Sequence, residues 1–210
     1  VKSNPIVIID TWIKTGSINE NDKNTGVSHF LEHLFFKGTE KNPVGTFDRI
    51  LESKGAVTNA ATSKDFTHYY IKLPSKDFDL ALNLHADMLL NPAIPQAEMD
   101  RERKVVLEEI AKDKNSPSDV VYDNLNELLF KVHPYKRQVI GTSEVIENIT
   151  RDEIFNYYRT HYIPSNMVTI IVGDVEPDEV AQKVERAFSQ KYSKTCKNIY
   201  KKEPPITQQR

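Results

Sequence analysis

His29 and His33 stand four residues apart with Glu32 between them, in the stretch TGVSHFLEHLFFKGT from Thr25 to Thr39. On a helix, residues four apart lie one turn above each other, so both imidazoles can reach one metal ion while Glu32 stands beside them with its carboxylate free. Two histidines and a free carboxylate are the working parts of a zinc hydrolase. Zinc takes imidazole nitrogens at ~2.0–2.1 Å, and a catalytic site adds a third protein ligand and keeps one position open for water. The plainer reading is a surface helix that carries two histidines by chance. Phe30, Leu31, Leu34 and Phe35 argue against it, because a helix this apolar sinks its histidines below the surface. Gly38 is a candidate C-cap, and Lys37 suits the negative end of the helix dipole.

The third ligand must come from another element. From about Gln96 to Lys114 the chain has no Gly or Pro and is dense in helix formers. Arg101, Lys104, Glu108 and Lys112 make a wholly charged stripe of this helix, whereas Glu102, Val105, Val106 and Glu109 make one that is half apolar. Glu109 therefore points more nearly at the core than Glu108 does, and a carboxylate there needs a partner. A zinc ion held by His29 and His33 would supply one.

The remaining elements follow from periodicity and punctuation. Ile6 to Lys14 reads as a strand stopped by Thr15-Gly16-Ser17, and residues 18–24 as polar loop. Thr46 to Lys54 reads as a helix stopped by Gly55; Ala56 to Thr62 and Phe66 to Leu73 read as strands around a hairpin loop at Ser63-Lys64-Asp65. Asn59, Ala60 and Ala61 are weak strand formers, which fits an edge strand, or a strand whose small side chains let another backbone come close. Ser75 is expected to cap a helix from Lys76 to Leu90, and Ser116-Pro117 to open one running to about Phe130. Thr150 and Glu153 form a capping box, Met167 to Gly173 a strand, and Pro177 opens a last helix to about Gln190. Four strands and about seven helices out of strict alternation predict an α+β fold, with an antiparallel or mixed sheet of about four or more strands against several helices.

Composition narrows the function. With 28 Lys and Arg against 30 Asp and Glu the net charge is −2, and no basic tract points to nucleic acid. No run is apolar enough to span a membrane. The single cysteine, Cys196, rules out an internal disulfide or a thiolate zinc cluster and reads as a buried or incidental thiol. Because the chain opens on Val1, almost directly into a strand, the native N-terminus and any targeting segment are expected to lie upstream, which leaves the compartment open. Residues 1–192 are expected to form the folded domain and 193–210, with Pro204-Pro205, a linker or the start of another.

With His29-x-x-Glu32-His33 on one helix and Glu109 on another, 75 residues lying between His33 and Glu109, the chain resembles the inverzincin zinc peptidases. It is similar in particular to the pitrilysin or insulinase-like family, of the mitochondrial processing peptidase β-subunit type. HFLEHLFFKGT, GAVTNAATSKDFTHYYIKLP, DRERKVVLEE and HPYKRQVIGT resemble family blocks in family order, over roughly Ile6 to Val175. The resemblance implies one zinc ion bound by His29, His33 and Glu109, with Glu32 as general base and Glu102 as a second glutamate that supports the site. It implies that Asn59 and Ala60 hold substrate backbone at a sheet edge, and that the substrates are extended or unfolded peptides. It also implies a further homologous domain, on the same chain or a partner subunit, that completes the chamber. The rival expectation is a non-catalytic partner or scaffold subunit, as in relatives that keep the fold and lose the motif. Intact His29, Glu32, His33 and Glu109 weigh against it.

Overall fold

A computed structural model describes residues 4–189 and 200–205. Four strands form one antiparallel sheet: β1 (Ile6–Ile13), β2 (Val57–Thr62), β3 (Thr67–Pro74) and β4 (Met167–Gly173), in the order β2-β3-β1-β4. Eight α-helices accompany them among the described residues, so the chain is α+β as expected: α1 (Val27–Phe35), α2 (Thr46–Ser53), α3 (Phe78–Leu90), α4 (Gln96–Lys114), α5 (Pro117–Leu129), α6 (Ser143–Asn148), α7 (Arg151–His161) and α8 (Pro177–Ala187).

Alternation along the strands decides which face is covered. Val7, Ile9 and Ile13 of β1 and Tyr69, Ile71 and Leu73 of β3 point to one side and are buried. They meet Phe30, Leu31, Leu34 and Phe35 of α1, together with Leu82 and Leu89 of α3 and Ile154 and Tyr158 of α7. Phe35 is the hinge of this packing: its ring centroid lies 5.0 Å from that of Tyr69 and 4.9 Å from that of Tyr162. The metal-motif helix is therefore clamped between sheet and helices by one whole side of its own surface, and its other side is left for chemistry.

Several expected caps resolve differently. The Thr150 and Glu153 capping box forms as expected. Ser75 does not cap α3: it opens a short 3-10 turn, and its hydroxyl donates to Asp174 at 3.0 Å. Ser116 sits at the N-cap of α5, yet its hydroxyl bonds Ser118 rather than the helix backbone. Lys37 does more than face the helix dipole, since its ammonium pairs with Glu102 at 2.8 Å. Val105, placed on the inward stripe of α4, is 40% exposed, whereas Val106 beside it is fully buried. One helix escaped the sequence pattern, α6, whose six residues are too few to show a period.

Cys196 and most of the expected linker, residues 193–199 and 206–210, lie outside the described residues, as do residues 190–192. Residues 200–205 carry no helix or strand but are anchored: the Glu203 carboxylate accepts the backbone N–H groups of Lys131, Val132 and His133 at 2.8–2.9 Å. No helix among the described residues is long and apolar enough to cross a membrane.

Candidate active site

On α1 the apolar residues Val27, Phe30, Leu31, Leu34 and Phe35 turn into the core, which leaves His29, Glu32 and His33 half-buried on the opposite face. On α4, Met99, Val106 and Ile110 do the same and leave Glu102 and Glu109 half-buried. The two remaining faces meet. Nε2 of His29 lies 3.7 Å from Oε2 of Glu109, and Nε2 of His33 lies 3.5 Å from the same oxygen. These three form the group among the described residues whose ligand atoms could share one metal ion.

Two nitrogens and a carboxylate oxygen are a donor set that suits zinc, all three lying within 4.8 Å of one another. Two tetrahedral ligands on an ion at the usual Zn–N and Zn–O lengths stand about 3.4 Å apart, close to the two histidine–Glu109 separations. Burial, helped by the neighbouring His33, pushes the His29 imidazole down to about 4, so at neutral pH its nitrogen carries a lone pair for a metal. His29 Nδ1 is buried with no hydrogen-bond partner among the described residues. The other imidazole is well supported: Glu102 Oε2 lies 3.1 Å from His33 Nδ1, and Lys37 holds the other oxygen of Glu102. A carboxylate on Nδ1 fixes the ring so that Nε2 faces the metal position. Burial pushes Glu102 up, but the bonds from Lys37 and His33 outweigh it and keep the carboxyl below its ordinary range. Glu102 thus touches His33 and Lys37 and stands outside the His29, His33 and Glu109 group.

Glu32 stands beside the ligands as the one charged group of the α1 motif that none of them uses. The Thr62 hydroxyl at the end of β2 donates to its Oε2. Burial raises the Glu32 carboxyl above its ordinary range, opposed by the Thr62 bond and the nearby His33. A carboxylate of raised basicity, oriented by a hydroxyl, is equipped to take a proton. Thr62 carried no sequence signal beyond its place at a strand end.

Among the described residues β2 is an edge strand, paired with β3 alone. Asn59 is exposed and Ala60 half-buried against the core. The Ala60 N–H is taken by the Asn59 side-chain oxygen at 2.9 Å. The expected backbone-binding positions therefore lie on an open edge, on the strand that also delivers Thr62 to Glu32. A hollow of about 1050 Å³ lies elsewhere, between the 22–25 loop and the α5 and α6 regions, and is not lined by His29, His33 or Glu109.

Glu109 and Glu108 separate the site from its surroundings. Glu108 is exposed on α4 and Glu109 half-buried beside both imidazoles. Glu109→Gln is expected to weaken zinc binding by more than the factor of about 10 to 100 that losing a hydrogen-bond partner of a ligand typically costs, and Glu108→Gln to leave it unchanged. Competition with a chromogenic chelator reads both; equal losses would place the third ligand elsewhere.

A helix pair that brings two histidines and a glutamate around one point, beside a second glutamate and an open strand edge, is the arrangement of a metallopeptidase. Residues 2–143 match the family model described as Insulinase (Peptidase family M16), and residues 148–210 the model described as Peptidase M16 inactive domain. The chain belongs to peptidase family M16, the insulinase family. It is 35% identical over 86% of its length to a probable mitochondrial-processing peptidase subunit beta of Arabidopsis thaliana, covering 34% of that protein. It is 34% identical to cytochrome b-c1 complex subunit 1 of Bos taurus, over 89% of this chain and 39% of that one. An uncharacterized zinc protease of Streptomyces coelicolor is 35% identical over 84% of this chain and 39% of its own. Among solved structures, a protease from Helicobacter pylori superposes with a TM-score of 0.91 at 34% identity, over 96% of this chain and 50% of that one. The chain thus spans a third to a half of the length of these relatives.

Proposed function

We propose that this chain is the zinc-bearing part of an endopeptidase of the His-x-x-Glu-His type that cuts extended or unfolded peptides. The observation that carries the reading is the convergence of His29 Nε2 and His33 Nε2 on one oxygen of Glu109, with Glu32 alongside. Zinc in that position would supply a bound water that ionises near pH ~7 and would polarise the scissile carbonyl. Glu32 would take the water's proton and pass it to the leaving amine; its Thr62 bond holds one oxygen and frees the other. A peptide added as a strand to the open edge of β2 would present its carbonyl through main-chain hydrogen bonds. To do so it would displace the Asn59 oxygen from the Ala60 N–H, exchanging one hydrogen bond for another.

The second reading, a non-catalytic partner or scaffold subunit, draws on the likeness to a cytochrome b-c1 complex subunit and on the inactive-domain match over residues 148–210. The complete set His29, Glu32, His33 and Glu109 favours the peptidase. A homologous domain, on the same chain or a partner subunit, would close the free side of the edge strand. The two readings part when the assembled protein is stripped of metal, resupplied with zinc, and assayed on a mixed fluorogenic peptide library. Zinc-restored cleavage supports the peptidase; absence of cleavage with zinc bound supports the scaffold.

A further inference from the structure

Glu20 lies in the stretch that reads in the sequence as polar loop, yet it is only 5% exposed. Its carboxylate is divided between two donors: Oε2 accepts the Gly26 N–H at 2.7 Å and Oε1 the Ser28 N–H at 2.9 Å. These are donors at the start of α1, where the N-cap, Gly26, has φ of 88° and no side chain to cap with. Glu20 supplies the cap from six residues upstream. His29 is the third residue of α1, directly after the second of these donors.

The segment that carries Glu20 is tied at its other end to the β2–β3 hairpin. Ser17 N–H donates to Ser63 O at 3.3 Å and Ile18 N–H to Lys64 O at 2.8 Å. At Gly16 the approach is close enough that a Cβ would stand 2.3 Å from Ser63 O. Arg137 locks the same corner from outside, donating to the Glu20 carbonyl at 2.9 Å, while Lys64 donates to the carbonyls of Tyr135 and Arg137. The residue before Ser63 is Thr62, which touches Glu32. Segment 16–20 thus bridges the metal helix and the end of the substrate edge strand, and the Glu20 carboxylate is its attachment to the helix.

We propose that Glu20 is a positioning residue for the metal site, fixing the first turn of α1, and with it His29 and Glu32, against the hairpin that ends the β2 edge. The proposal rests on the zinc-site reading above. A glutamine at 20 keeps the shape but offers one accepting oxygen where two N–H groups need one each. An aspartate keeps both oxygens and shortens the reach by one methylene. Neither change touches a ligand.

The test measures zinc affinity by chelator competition and the visible absorption of the Co²⁺-substituted site, in the unaltered chain, Glu20→Gln, Glu20→Asp and Glu153→Ala. Glu153→Ala removes the side chain that accepts the Thr150 N–H in the capping box of α7, a loss of helix-end bonds with no link to α1, and controls for stability alone. Expected are a 10- to 100-fold weaker zinc affinity and an altered Co²⁺ spectrum in Glu20→Gln, a smaller change in Glu20→Asp, and neither in Glu153→Ala. If Glu20→Gln does not fold, Glu20→Asp carries the test. A folded Glu20 variant with unaltered affinity and spectrum overturns the proposal, as does a Glu153→Ala loss equal to that of Glu20→Gln. Failure of both Glu20 variants to fold even with zinc would make the residue simply structural and overturns it too. An unaltered chain that binds no zinc overturns the metal-site reading as well, so the two failures are told apart.

Discussion

Glu32→Gln is expected to keep zinc bound and to lower peptide hydrolysis in the assembled protein by about 10²–10⁴-fold, the usual worth of a positioned general base. The substitution is isosteric and leaves His29, His33 and Glu109 in place. The Thr62 hydroxyl can still donate to the amide oxygen, so the side chain stays where it is. What disappears is the site that accepts a proton. An interaction made only in the transition state lowers kcat and kcat/KM together, so KM should move little. Turnover within about threefold of the unaltered protein, with one zinc bound, would remove Glu32 from the role of base.

The second large effect concerns assembly. This chain alone is expected to bind zinc yet to hydrolyse peptides orders of magnitude more slowly than it does together with a homologous facing domain. Hydrolysis needs a substrate held in register and donors aimed at the oxyanion as well as metal and base, and one oxyanion donor alone is commonly worth 10²–10³ in rate. The described residues offer a substrate one flank, the open edge of β2, where the Ala60 N–H is at present satisfied by Asn59. Closing the other flank would also exclude water from the ligands, which are only half-buried. The assay is fluorogenic peptide cleavage by the chain with and without such a domain added in trans. Robust chelator-sensitive cleavage by the chain alone would show that one flank suffices.

The elements were legible wherever pattern and punctuation agreed. The β1, β3 and β4 runs are β-branched and aromatic, and the α4 bounds follow from an unbroken run of helix formers. β2 was legible as an edge because Asn59, Ala60 and Ala61 make a poor central strand. The three side chains that converge were legible for two different reasons. His29 and His33 are local, one turn apart on one helix, whereas Glu109 is separated from His33 by 75 residues and is singled out by the inward stripe of α4 and a family resemblance. One residue departs from that stripe, Val105, which is 40% exposed, while Glu102 and Glu109 of the same stripe meet the imidazoles of α1.

The supporting contacts were not legible, because they depend on tertiary approach rather than on spacing. Lys37 read as a partner for the helix dipole and is in fact the cation that holds Glu102. Thr62 is an ordinary strand-end residue until the hairpin brings it to Glu32. Glu20 sits among Asn19, Asn21 and Asp22, in a segment whose polarity says loop. The faint signal was a helix that opens on Gly26 with no capping side chain of its own, which requires a cap from elsewhere.

The most direct test of the whole account is X-ray absorption at the zinc edge, with elemental analysis, on the purified chain loaded with zinc. The account requires one zinc per chain, two imidazole nitrogens and carboxylate or water oxygens at ~2.0–2.2 Å, and loss of the metal in His29→Ala and His33→Ala. Substoichiometric zinc, a ~2.3 Å sulfur shell from Cys196, or a spectrum unchanged when His29 and His33 are replaced would contradict it.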